Sequence, residues 1–196
     1  MKKLTERFPG SLCKGVDGSR DQVLRCEKKG LSVIQADISE GIPFENNSFD
    51  FVNCAEVIEH VYDPDLLCDE IFRVIRPGGL LVLSTPNLHA WYNRIIFLMG
   101  ILQVFMEVST RDSSIGFGFL KRIKKCSSPV GHIRLMNRES VCEILTRAGF
   151  SVNKVKGATF EVIPSPGRLI DRIFRLIPSM SSILLVSATK APKHES

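Results

Sequence analysis

The sequence predicts an α/β fold, with a parallel sheet covered by helices on both faces. Three observations lead to it. Short runs that are apolar throughout alternate with stretches of helical composition, as expected for strands buried on both faces. Glycines stand where those helices should stop, at Gly30, Gly78, Gly79 and Gly149. The first two apolar runs each lead into an acid, Asp17 and Asp37, at the strand ends where open sheets present groups to ligands.

The elements follow in order. Ser11 to Asp17 reads as a short strand, Asp21 to Lys29 as a helix left at Gly30, and Leu31 to Ala36 as a second strand. The Asn46-Asn47-Ser48 turn introduces a third strand, Phe49 to Cys54. A helix from Pro64 to Arg76 carries Leu66, Leu67, Ile71, Val74 and Ile75 at helical spacing. Pro77-Gly78-Gly79 ends it, and Leu80 to Ser84 is a fourth strand. Beyond Pro86 the rhythm breaks: Leu88 to Met106 is strongly apolar, and Ser109 to Pro129 is polar and basic. Order returns with a helix from Asn137 to Ala148, a strand at Ser151 to Val155, an amphipathic segment from Arg168 to Ile177, and a last strand from Ser182 to Thr189.

With 196 residues and 44% hydrophobic content, the chain suits one domain spanning 1–196, with residues 88–130 as a lid or insertion. No apolar run follows the charged start, so no secretory signal is expected and the compartment is read as cytoplasmic. Six cysteines are scattered singly, which argues against a zinc site or a disulfide scaffold, and no metal is expected. The net charge is +5, densest at Lys121-Arg122-Ile123-Lys124-Lys125. This cluster reads as a solvated loop, or as a contact for anionic lipid or an acidic substrate. No aromatic residues interleave with it to stack bases, so nucleic acid is not expected.

Two acids on neighbouring strand ends suit a nucleoside, one for the ribose diol and one for the adenine amino group; alternatively, each caps the helix that follows it. Their neighbours sharpen the reading. Gly15-Val16-Asp17-Gly18-Ser19, Ala36-Asp37-Ile38, Pro43-Phe44, Asn47-Ser48-Phe49-Asp50, Glu56-Val57-Ile58-Glu59-His60-Val61, Arg73-Val74-Ile75-Arg76-Pro77-Gly78-Gly79 and Ser84-Thr85-Pro86-Asn87 succeed one another. This series resembles class I S-adenosylmethionine-dependent methyltransferases, in particular the type 11, quinone-biosynthesis-like group with its Rossmann-like sheet. The resemblance runs from Leu4 to Asn87 and is looser from Gly131 to Thr189.

The resemblance implies S-adenosylmethionine as cofactor. Asp17 would hold the ribose, flanked by Gly18 and Ser19, and Asp37 would meet the adenine amino group with Ile38 against the ring. Ala55 and Glu56 would line the methionine end. His60 would face the transferred methyl group as a general base, or else serve as a structural histidine bonded to backbone. Asn87, His132 and Arg134 would stand on the acceptor side.

The sequence departs from the family in one large respect. The glycine-rich loop should lie about 20 residues before the ribose acid, and counting back from Asp17 runs off the chain. Lys2 to Phe8 resembles the end of the helix after that loop. The first, central strand would be missing too, between the strands at Ser11–Asp17 and Phe49–Cys54. The chain reads as N-terminally truncated, and as written it is expected to bind the cofactor poorly or not at all.

Two apolar segments bear on the acceptor. Leu88 to Met106 reads as a lid or core helix, as a segment lying on a membrane surface, or as a span, although Asn93, Arg94 and Gly100 interrupt it. Arg168 to Arg175 is amphipathic and basic. Together they suggest a small or lipid-like acceptor and a peripheral membrane contact, with a non-catalytic methyltransferase-like partner or a membrane-surface protein as the alternative function.

Overall fold

The computed structural model describes residues 10–123, 128–160, 163 and 165–191. The segment Lys2 to Phe8, the basic residues Lys124 and Lys125, and Cys126 lie outside the described residues. The chain divides into two compact units, Met1–Glu45 and Asn46–Ser196.

The first unit is one strand–helix–strand crossover: β1 (Lys14–Asp17), α1 (Arg20–Glu27) and β2 (Ser32–Gln35). The strands run parallel, from Lys14 opposite Ser32 to Asp17 opposite Gln35. Helix α1 buries Val23 and stops at a turn in which the Gly30 N–H donates to the Glu27 carbonyl at 2.8 Å. Gly30 has φ +70°, a backbone conformation that favours glycine; the helix itself ends at Glu27, two residues before the Lys29 read from sequence.

The second unit begins with β3 (Phe49–Ala55), α2 (Pro64–Val74) and β4 (Ile75–Pro86), again a parallel crossover. Asp63 caps α2 by accepting from the Leu66 N–H at 2.9 Å, and Pro64 supplies the preset first turn. The helix ends two residues before Arg76 because the Asn46–Ser48 turn takes its last carbonyls: Asn47 and Ser48 donate to Arg73 and Val74 at 2.9 and 2.8 Å. Ile75 then pairs with Phe49, and β4 starts there rather than at Leu80. The chain kinks through Pro77-Gly78-Gly79 within β4. A Cβ on Gly79 would lie 2.7 Å from the Ile75 side chain and 3.1 Å from the Asp50 carbonyl, so only glycine fits.

Next come α3 (Trp91–Leu98), a 3-10 turn (Gly118–Ile123), α4 (Arg138–Arg147), β5 (Phe150–Ala158), α5 (Gly167–Phe174) and β6 (Ile183–Lys190). The sheet order is β3-β4-β6-β5, with β6 antiparallel to both neighbours. The unit is therefore a mixed sheet, where the sequence reading implied a parallel one. An apolar run such as Ile183 to Val186 shows burial on both faces but not strand direction. The pair β1-β2 forms its own sheet, so β1 and β3, expected to flank an absent strand, each keep an edge with no strand partner among the described residues.

The core of the second unit gathers Ile58, Ile71, Val74, Ile75, Leu81, Leu83, Val141, Leu145, Leu184 and Val186, all essentially inaccessible. Each such side chain contributes about 1.5–3 kcal/mol by burial. Helix α4 opens on a reciprocal capping box between Asn137 and Ser140.

Leu88 to Met106 forms only the short helix α3, which ends at Gly100 (φ +70°). Its buried Asn93 donates to the Asn87 and Leu88 carbonyls and accepts from the Val104 N–H, folding the remainder back. No helix among the described residues is long and apolar enough to cross a membrane, so the reading of this segment as a span is set aside.

Helix α5 is amphipathic as read, but it is tethered by a buried acid. Asp171 accepts from the Trp91 indole N–H at 3.0 Å, the Phe160 N–H at 2.9 Å and the Ser182 hydroxyl, while Trp91 stacks on Phe174. Its apolar residues Leu169 and Ile173, and Leu176 just beyond its end, are 65%, 59% and 75% exposed. At the far edge, Lys190 donates to the Phe72 and Ile75 carbonyls and to Asn47 Oδ1 and lies over the Phe72 ring, pinning the end of β6 to the end of α2.

Burial pushes the Cys54 and Cys68 thiols up to about 12. A thiol reagent at pH 8 is therefore expected to label Cys13 and Cys26, which are half-exposed, well before Cys54 and Cys68. Mass spectrometry of the alkylated, folded chain checks this, and equal labelling of all four would contradict the packing.

Candidate functional site

In the first unit, the parallel register brings two acids to adjacent strand ends. Asp17 closes β1, and its carbonyl accepts from the Ala36 N–H at 3.3 Å. Asp37 follows two residues beyond the end of β2. Asp17 Oδ1 accepts from the Ser19 N–H at 2.8 Å. Asp37 Oδ1 accepts from the Ser39 hydroxyl at 2.7 Å and the Ser39 N–H at 2.9 Å, and these two bonds hold the Asp37 carboxyl below the ordinary carboxylate range. Neither acid is a helix N-cap: Ser19 occupies that position for α1, and Asp37 leads into a turn. Gly18 and Ser19 are exposed, and Ile38 is half-buried beside them. These five positions therefore gather at one edge of the first unit. Their donor set matches a nucleoside, since carboxylate oxygens accept from a ribose diol and an exocyclic amine.

In the second unit, the chain leaves β3 at Ala55 and turns through Glu56, whose φ of +53° is a left-handed conformation uncommon for a non-glycine residue. The turn is held by β4: the Glu56 N–H donates to the Ser84 carbonyl at 3.0 Å, and the Ser84 hydroxyl donates to Glu56 Oε1 at 2.8 Å. One turn later Glu59 is fully buried. Its Oε2 accepts from the Thr85 hydroxyl at 3.1 Å, while Oε1 is buried with no hydrogen-bond partner. Burial pushes its carboxyl above the ordinary range.

His60 stands beside it, about a third exposed, with Nδ1 3.0 Å from the Gly131 carbonyl and Nε2 3.9 Å from Glu59 Oε1. Its ring lies 4.9 Å from that of His132. His132 Nδ1 faces the Phe105 carbonyl at 3.2 Å, and burial lowers its proton affinity. The loop carrying His132 is shaped by Glu107, which accepts from the Val130, Gly131 and His132 N–H groups at 2.9, 2.8 and 3.2 Å. Burial raises the Glu107 carboxyl, but the three donors outweigh it and leave the group below its ordinary value.

Arg134 lies beside the next cleft. Its Nε donates to the Tyr62 carbonyl at 3.2 Å, and its guanidinium lies over the Tyr62 ring. With Tyr62, Asp63, Asp65 and Ser140 it lines an open cavity of about 480 Å³. Asn87, by contrast, is not placed to meet an acceptor. It is fully buried, donates its amide to the Ser181 and Pro178 carbonyls, and accepts from the His89 N–H, so it holds the corner after β4. An asparagine just past a strand end reads alike in sequence whether it faces a ligand or ties a turn.

Of the positions read from sequence in this unit, the structure brings His60 and His132 together, and sets Ala55 and Glu56 on the turn before them. It adds two that the sequence reading did not single out, Glu59 and Glu107. Glu59 carried a signal, an acid set between Ile58 and a histidine where an apolar residue would be usual. Glu107 carried none.

Comparison with known proteins bears on the whole arrangement. Residues 1–83 match the methyltransferase domain family. A probable S-adenosylmethionine-dependent methyltransferase of Mycolicibacterium smegmatis is 33% identical over 116 residues, covering 59% of this chain and 34% of its own. The demethylmenaquinone methyltransferase of Oceanobacillus iheyensis is 30% identical over 113 residues, 51% of this chain and 48% of its own. The chain thus spans between a third and a half of the length of these curated relatives. Among solved structures, a chain of the complex between the Haloferax volcanii Trm112 methyltransferase activator and the putative methyltransferase has the same fold. Its TM-score is 0.63 at 16% identity, with 100% of this chain and 78% of that chain covered.

Replacing Glu107 with glutamine is expected to loosen the 130–132 loop and lower stability by about 1 kcal/mol, since a charged acceptor of three N–H groups becomes a neutral one at a half-exposed position. Urea denaturation with hydrogen exchange at residues 130–132 measures both effects; unchanged protection would refute the role given to Glu107.

Proposed function

We propose that this chain, whose residues 1–83 match the methyltransferase domain family and which resembles S-adenosylmethionine-dependent methyltransferases, serves methyl transfer to a small or lipid-like acceptor. The observation that carries this reading is the pair of carboxylates, Asp17 and Asp37, on adjacent ends of β1 and β2. Asp17 accepts from the ribose hydroxyls and Asp37 from the adenine amino group, with Gly18, Ser19 and Ile38 shaping the edge around them. S-adenosylmethionine supplies an electrophilic methyl group when bound. On the acceptor side, His60 orients the nucleophile and takes its proton, and His132 and Arg134 form the wall around it. Aligning an acceptor removes much of the barrier, so these groups need to position more than to activate.

Two features support a lipid-like acceptor. One relative acts on demethylmenaquinone, as its name states. The other is α5 and the two residues after it, where exposed Leu169, Ile173 and Leu176 stand next to Arg168, Arg172 and Arg175. Each apolar side chain gains roughly 1.5–3 kcal/mol on full burial, and the arginines add attraction to anionic headgroups.

A second reading, a methyltransferase-like partner that does not itself catalyse, is favoured by β1 and β3, each of which has one side with no strand partner among the described residues. Each leaves backbone groups on which a strand of another chain can pair.

Calorimetric titration of S-adenosylmethionine into the folded chain tests the first reading. Weak but saturable binding is expected, and Asp17→Ala should reduce it about tenfold to a hundredfold, the worth of hydrogen bonds to a charged group. No binding by a folded chain would favour the partner reading. Separately, vesicles of phosphatidylglycerol and phosphatidylcholine are expected to carry the chain upward in a flotation gradient at low salt, and Ile173→Ser should reduce the floated fraction. A chain that stays at the bottom at low salt would count against the membrane contact.

A further inference from the structure

We propose that Glu59, His60 and His132 form a binding site for a first-row divalent metal ion of the zinc type. Each residue offers one donor atom, and the three atoms lie within 4.8 Å of one another. Ligand atoms around a tetrahedral ion sit about 3.4 Å apart, so the cluster needs to draw in by roughly 0.5–1.5 Å. Rotation of two side chains that are not fully buried accomplishes that.

The observation that points to an ion, beyond the grouping itself, is Glu59. Its carboxylate is fully buried, yet Oε1 has no hydrogen-bond partner and is the oxygen closest to His60 Nε2. Leaving a buried carboxylate oxygen bare costs several kcal/mol unless a cation satisfies it. A second carboxylate, that of Glu56, is near enough to act on both Glu59 and His132, which deepens the negative potential an ion would neutralise.

Each ligand is also already oriented by a partner of its own. The Gly131 carbonyl faces His60 Nδ1, and the Phe105 carbonyl faces His132 Nδ1. A ring nitrogen facing a carbonyl carries the proton, which leaves the Nε2 lone pair of each ring for a metal. Thr85 fixes Glu59 Oε2 and turns Oε1 toward the rings. Glu107 fixes the loop bearing His132. Two imidazoles and one carboxylate suit zinc and its first-row neighbours over magnesium or calcium, which prefer all-oxygen sites. With three protein ligands and the exposed face of His60, one position stays open to an outside oxygen.

An ion there would lower the pKa of a hydroxyl acceptor and take over the proton role given to His60. That consequence rests on the methyl-transfer reading; the binding site does not. The test therefore uses metal alone. The full chain is stripped with a chelator, checked for folding by circular dichroism, and titrated with Zn²⁺ by calorimetry and with Co²⁺ by visible absorption. One equivalent is expected to bind, with cobalt bands in the visible, and equimolar Mg²⁺ should not compete. His60→Ala and His132→Ala, both at positions that are not fully buried, should each weaken binding at least about tenfold. Glu59→Gln should do the same if it folds, and the histidine variants decide the matter if it does not. Absence of saturable binding by the folded chain, or binding that survives either histidine substitution unchanged, would overturn the site.

Discussion

The second unit is organised around one buried carboxylate. Glu59 cannot be solvated where it sits, so the chain around it is arranged to hold it. Its side chain takes a hydroxyl from Thr85 on β4, and its main-chain carbonyl accepts from both Ile133 and Arg134 at 2.8 and 3.1 Å. Its neighbour His60 reaches the carbonyl of Gly131. A single residue thus ties the end of a central strand, the approach to α2 and the loop before α4 into one corner. Remove the carboxylate, and the end of β4 and the two imidazoles lose their common reference, while the loop keeps its bonds to the Glu59 main chain.

The same device recurs twice. Asp171 gathers α3, α5 and the start of β6, and Lys190 gathers the end of β6, the end of α2 and the turn before β3. In each case a charged group that would be costly to bury alone becomes a specific joint because its partners are backbone groups, short side chains or, for Asp171, an indole held by ring stacking. Apolar packing among Ile58, Leu81, Leu83 and Leu145 supplies most of the cohesion, but it does not choose where loops meet strands. These three joints do.

Much of this was legible in the sequence, and the residues show why. The strands at Lys14, Ser32 and Phe49 and the helices at Pro64 and Arg138 follow from apolar runs, caps and glycines, which are local signals. The mixed direction of the sheet was not legible, because an apolar strand reads alike parallel or antiparallel. Nor was the short extent of α3, since the Asn93 amide that folds the chain back finds its partner at Val104 through tertiary contact. The pairing of Asp17 with Asp37 followed from their position after two strands. The meeting of His60 with His132, 72 positions apart, needed the loop that Glu107 shapes, and nothing local announces that loop.

Trp91 gives the molecule an optical property of its own. It is the chain's single tryptophan, its indole N–H donates to a buried carboxylate, and its ring stacks on Phe174 of α5. Emission from the whole protein therefore originates at one joint. A change in its colour or intensity speaks of α5 lifting or settling, while the β1–β2 pair carries no tryptophan of its own to report on it. A spectroscopist watching this chain at a membrane or with a small molecule would be watching that helix, and would need a second probe to see anything else.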